Sequence, residues 1–139
     1  IGADQRRQEL QQRFGHLQGR CKSCGFSDWE LALAYRHALA VVIPSHAEGF
    51  GLPAIEAMTC GATVLVADSR GLREAGGGAA LRFDSRRPQQ LAQLLALLQS
   101  PTEPWLMARL AQRRRRRLAL LQPELMGLAL LAVARALTS

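Results

Sequence analysis

Aromatic residues are scarce: two Trp, one Tyr and four Phe make up 5% of the 139 residues. Surfaces that bind single-stranded nucleic acid stack bases on aromatic rings, and so few rings leave little for such a platform. Lysine is scarcer still, with Lys22 the lone one among 18 basic residues. Three cysteines (Cys21, Cys24, Cys60) cannot build a disulfide framework, and an odd count argues against a secreted, cross-linked domain. Long apolar runs are also missing. The longest, Leu125 to Ala134, falls far short of the roughly 20 residues that cross a bilayer. The N-terminus lacks the basic, apolar, small-residue order of a signal peptide. These absences lead us to expect a cytoplasmic protein with no transmembrane segment.

What is present is ordinary in bulk. Apolar residues at 48% and charged residues at 21% match a globular domain rather than a disordered or fibrous chain. The length suits one domain, able to bury about two-thirds of its unfolded surface. The charge is not ordinary: 18 basic against 11 acidic residues give +7, and the run Arg113 to Arg117 concentrates the excess. Such a balance favours anionic partners, so a nucleic-acid-binding module is one reading of the chain. Five consecutive arginines point all around a helix, however, so only two or three could meet one phosphate backbone. The run reads better as a solvated helix face, and no nucleic-acid partner is expected.

Cys21-Lys22-Ser23-Cys24 is a CxxC. A structural zinc needs four ligands, and no second CxxC or spaced His pair accompanies it, so bystander thiols and no metal are expected.

Along the chain the pattern alternates helix and strand. Asp4 to Phe14 is helix-prone, and His16 to Cys24 is weakly patterned, with room for a short strand. Ser27-Asp28-Trp29-Glu30 forms a capping box that opens a helix, with Leu31, Ala34, Tyr35 and Ala38 on one face. Leu39 to Ile43 is a short apolar run ending at Pro44, which predicts a strand buried on both faces. Pro53 suits the first turn of a helix that continues to about Cys60, where Gly61 ends it. Thr63 to Ala67 predicts a second strand, Gly71 to Ala75 a short turn, and Ala79 to Phe83 a third strand. Pro88 to Gln99 predicts a helix. Ser100-Pro101-Thr102-Glu103 reads as the start of another, which carries the arginine run until Pro123 breaks it. A final apolar helix spans Leu125 to Leu137. Strands separated by helices mean a parallel α/β sheet.

Ligands of open parallel sheets bind beyond the carboxyl ends of the strands. The loop Ser45 to Gly51 lies there, between a strand and a helix. Gly49 and Gly51 let the backbone come close to a ligand. The helix start offers unpaired N–H groups and partial positive charge, suited to phosphate. Glu48 in the loop and Glu56 inside the helix can accept hydrogen bonds from separate hydroxyl groups of one ligand.

The string Pro44 to Met58 (PSHAEGFGLPAIEAM) resembles the Glu-x7-Glu signature of the family 4, or group 1, retaining glycosyltransferases. Its flanks resemble the family as well: Gly25-Phe26-Ser27-Asp28 with Glu30-Leu31 before it, then Gly61, Gly71, Glu74 and the glycines up to Leu81 after it. The resemblance implies a GT-B architecture, in which a Rossmann-like C-terminal domain holds a nucleotide-diphosphate-sugar donor. It implies that Glu48 bonds the donor sugar as the catalytic carboxylate. Amides near Gly49, Phe50, Gly51 and Leu52 would then meet the sugar and diphosphate, Glu56 the ribose, and Gly25 and Phe26 the base. No cofactor is implied beyond this substrate. One departure is Ala62-Thr63, where the family usually has a Pro before the strand.

On this reading, residues 1–121 are part of a donor-binding Rossmann-like domain, and residues 122–139 an apolar C-terminal helix. The N-terminal acceptor domain and a basic strand–loop are missing, so a fragment inactive by itself is expected. The whole protein would be cytoplasmic, or peripheral at a membrane. The C-terminal helix, apolar on nearly every side, predicts a homodimer. A non-catalytic interaction domain is the remaining alternative.

Overall fold

The computed structural model describes residues 8, 9, 12, 13, 24–45, 51–100, 104–121, 127, 131 and 133–135. Helix α1 (Asp28–His37) starts as the sequence predicts: Ser27 and Glu30 form a complete capping box. The Ser27 N–H donates to the Glu30 carboxylate at 2.8 Å, and the Glu30 N–H donates to Ser27 Oγ at 3.4 Å. Strand β1 (Val41–Ile43) follows, then α2 (Leu52–Thr59), β2 (Val64–Ala67), α3 (Arg70–Gly76), β3 (Leu81–Phe83), α4 (Pro88–Gln99) and α5 (Pro104–Leu120).

The three strands form one parallel sheet in the order β1-β2-β3. Val41 pairs with Val64 on one side, and Leu65 with Leu81 on the other. This is the helix-flanked α/β arrangement predicted from the alternation of patterns. All four residues of β2 are buried, as a central parallel strand with helices on both faces requires. β1 departs from expectation. It is shorter than the run Leu39 to Ile43, and only Ile43 is buried. Ala38 leaves α1 in extended conformation and Leu39 is exposed, so the chain joins the ladder only at Val41, whose N–H donates to Thr63 O at 2.8 Å.

The core is made of small and branched residues. Ala54, Ile55, Ala57 and Met58 of α2 pack on β2, with Leu72 and Ala75 of α3, Phe83, Leu98 and Leu110 around them. Helix α2 ends in a Schellman motif: Gly61 takes φ +93°, its N–H donates to Met58 O, and the Ala62 N–H donates to Ala57 O. The expected turn at 71–75 is a full two-turn helix, α3. Its C-terminal carbonyls are held from α5. Arg117 Nε donates to Ala75 O at 3.2 Å, its Nη2 donates to Glu74 O, and Arg114 Nη1 donates to Ala62 O at 3.3 Å.

The reading of Arg113 to Arg117 as a solvated face is therefore corrected in part. Arg114 and Arg117 share a face with Leu110 and turn inward, while Arg113, Arg115 and Arg116 are exposed. Residues 16–23 of the stretch with room for a short strand, most of the expected helix start at Ser100 to Glu103 and most of the first and last predicted helices lie outside the described residues. No described helix is long and apolar enough to cross a membrane.

Candidate functional site

The site grows from the start of α2. β1 ends at Ile43, Pro44 and Ser45 continue the chain, and description resumes at Gly51. Glu48, Gly49 and Phe50 lie outside the described residues, as does His46. Gly51 is the N-cap of α2 in left-handed conformation, with φ 62° and ψ 33°. It brings no side chain to cap the helix, and Pro53 has no N–H to offer. The N–H groups of Ala54 and Ile55 close back on Gly51 O at 3.0 and 3.2 Å. Those two amides are thereby used within the turn, so this helix start, with no side-chain cap among the described residues, offers an external phosphate chiefly the partial positive charge of its end.

Gly51 is also pressed against α3. A methyl group built on it would lie 2.5 Å from Ala75 Cβ. Leu52 and Pro53 are half-buried beside it.

Glu56, one turn further along, faces α1 rather than the sheet. It shares a shallow, open depression of about 80 Å³ with Asp28, Leu31, Ala32 and Tyr35 of α1, with Cys60, and with Val133 near the C-terminus. That volume is well below that of a ligand pocket, so the depression can seat only a small part of a nucleotide. Its polar groups are two carboxyls, a thiol and a phenol. Burial, then the nearby Asp28 charge, lifts the Glu56 carboxyl above its ordinary range. Burial and then Glu56 lift the Cys60 thiol, and the Tyr35 hydroxyl is lifted by the same two causes. A depression this rich in acceptors favours hydroxyl donors and repels phosphate. Gly25 and Phe26 precede Asp28, and Phe26 is 53% exposed.

Two further carboxylates stand at the carboxyl edge of the sheet. Arg73 pairs with Asp68 just after β2 at 2.7 Å, and Arg86 pairs with Asp84 just after β3 at 3.1 Å. These arginines are spent on their neighbours' charge. Among the described residues, no group of three His, Cys, Asp or Glu is placed to hold a metal ion.

The structure thus sets Gly51, Leu52 and Glu56 on one helix, and brings α1 alongside Glu56. Gly51 itself faces α3, away from the Glu56 depression. Asp28, Tyr35 and Cys60 were not among the site residues predicted from sequence. Asp28 and Tyr35 were visible only as cap and face residues of α1, and the α1–α2 contact that gives them a place in the site is tertiary.

A family model described as Glycosyl transferases group 1 matches residues 1–100. Among curated proteins, the D-inositol 3-phosphate glycosyltransferase of Frankia alni is 48% identical over 75 residues, 52% of this chain and 18% of that protein. The protein of the same name from Thermobispora bispora is 45% identical over 75 residues, with the same coverage. That from Thermomonospora curvata is 41% identical over 91 residues, 64% of this chain and 19% of its own length. The chain therefore spans about a fifth of the length of these relatives. No solved structure matches it.

Proposed function

This chain belongs to the group 1 glycosyl transferases, and we propose that its share of the reaction is to hold the nucleotide-sugar donor. One observation carries the reading: a helix start without a side-chain cap at Gly51, with Glu56 one turn inside it in an acceptor-rich depression. The diphosphate of the donor meets the start of α2, where partial positive charge stabilises the charge that builds on the leaving group. The ribose hydroxyls donate to Glu56, and Phe26 and Gly25 lie toward the base. Glu48 bonds the donor sugar.

Residues outside this segment complete the enzyme. The acceptor domain belongs to the longer protein, and the relatives' names point to a phosphorylated cyclitol as the acceptor class. The segment alone binds donor without turning it over.

Calorimetric titration of the 139-residue chain with uridine, guanosine and adenosine diphosphates tests this. One of them should bind with Kd of roughly 0.1–1 mM, weak because part of the phosphate contact set is missing. Glu56→Ala should weaken it by about 1–3 kcal/mol through lost charged hydrogen bonds. Equal affinity for the wild type and Glu56→Ala would remove the ribose role. The nucleic-acid reading has less support, since Arg114 and Arg117 are committed to backbone carbonyls.

A further inference from the structure

Helix α5 has a second face that the donor site does not use. Trp105, Arg109, Arg113, Arg116 and Leu120 recur at intervals of three or four residues, which places them on one side of the helix. It adjoins the side that carries Leu110, Arg114 and Arg117, the two rows being centred about 100° apart around the helix. All five are exposed, Trp105 at 55% and Leu120 at 76%. The Arg109 guanidinium lies over the Trp105 ring, 6.0 Å from its centroid. Residues 104–120 contain no Asp or Glu. None of the three arginines enters an ion pair among the described residues.

The face is therefore a row of three cations with an indole at one end and a leucine at the other, on a helix anchored by Arg114 to Ala62 O and by Arg117 to the end of α3. Nucleic acid would reward the arginines and gain nothing from Leu120, which is exposed. A bilayer surface rewards every member. Guanidinium groups meet lipid phosphates, tryptophan settles at headgroup depth, and leucine reaches the acyl boundary. We propose that this outward face of α5 is a docking surface for an anionic lipid membrane, on which the helix lies flat. The proposal goes beyond the donor-site reading and does not rest on it.

Co-sedimentation of the 139-residue chain with lipid vesicles tests it. Vesicles of phosphatidylcholine with about one-third phosphatidylglycerol should bind the chain, and phosphatidylcholine alone should not. Each arginine near the surface contributes about fivefold, so Arg109→Gln, Arg113→Gln and Arg116→Gln together should lower partitioning roughly 100-fold. A control triple of equal charge, Arg70→Gln, Arg82→Gln and Arg86→Gln, lies on other elements and should lower it far less, because screening confines the effect to about 10 Å. In a Trp29→Phe background, the emission of Trp105 should shift to the blue on binding. Equal binding to neutral vesicles, equal losses in the two triples, or an unshifted Trp105 would each overturn the proposal. So would duplex DNA binding that the α5 triple abolishes in a chain that ignores vesicles. Circular dichroism of each variant identifies any loss that comes from unfolding.

Discussion

Gly51→Ala is the sharpest probe of how α2 meets α3. Gly51 holds φ +62°, and a methyl group added there would lie 2.5 Å from Ala75 Cβ and 3.4 Å from both Gly71 O and Leu72 Cδ2. Two costs follow from different causes. A residue with a Cβ in left-handed conformation costs about 1–2 kcal/mol. The collision adds about 1–3 kcal/mol of overpacking, since Ala75 Cβ is buried, fixed to the backbone of α3, and has no rotamer by which to leave. The sum, about 2–5 kcal/mol, is a large part of the stability of an ordinary domain. Urea unfolding followed by circular dichroism should show it as a lower midpoint at unchanged slope. A double-mutant cycle separates the two causes. Ala75→Gly alone should cost about 1 kcal/mol of helix propensity, and it removes the atom that Gly51→Ala strikes. In that background Gly51→Ala should cost only about 1–2 kcal/mol, a coupling of about 1–3 kcal/mol. A cost that is the same in both backgrounds would refute the close approach. A cost below about 0.5 kcal/mol in the parent would refute the left-handed conformation as well.

The inward arginine is expected to behave unlike its neighbour: Arg117→Ala should cost about 1–2 kcal/mol, and Arg116→Ala no more than about 0.5 kcal/mol, by the same unfolding midpoints. Equal costs would contradict the carbonyl bonds to α3. Glu56 has a carboxyl raised above its ordinary value of 4.5, so the folded state keeps that proton after the unfolded chain has lost it. Its stabilising effect is full below about pH 4.5 and is lost as pH rises through the raised folded value. Glu56→Gln does not titrate, so from about pH 4 to about pH 7 its stability should gain on the wild type; a difference constant with pH would refute the shift. Leu131 is 56% exposed in the apolar C-terminal segment, and we expect that segment to pair with a second copy. Light scattering should show a dimer that Leu128→Glu with Leu131→Glu splits; a monomer of 15.2 kDa in the parent would refute it.

How far the sequence could be read depended on whether the cause was local. Pro88 at a first turn and leucines at helical spacing placed α4 at both of its ends, and Ser27 with Glu30 placed the start of α1. The apolar run before Pro44 was read as a longer and more buried strand than β1, because the bend at Leu39 and the half-burial of Val41 and Val42 are set by neighbours in space. The arginine run misled for a related reason. Charge alone argued for solvent, whereas the spacing of Leu110, Arg114, Arg117 and Leu121 already put two arginines on the apolar face of α5. At the site, Glu56 was legible through its string, but the acids around it were not. Asp28 and Tyr35 stand on α1, Cys60 follows Glu56 by one turn at the end of α2, and only the packing of α1 on α2 makes them one environment.

The order of the sheet also bears on how the chain folds. Each strand pairs with the next in sequence, so either contact with β2 closes a loop of roughly 20 residues, and the entropic costs of the two closures differ by only a few tenths of a kcal/mol. Neither β1 nor β3 is favoured as the first partner. Both routes pass through β2, whose residues enter the nucleus whichever contact forms first. Shortening Leu65 or Val66 should therefore slow folding, whereas shortening Ile43 or Phe83 should mainly hasten unfolding, because the other route stays open.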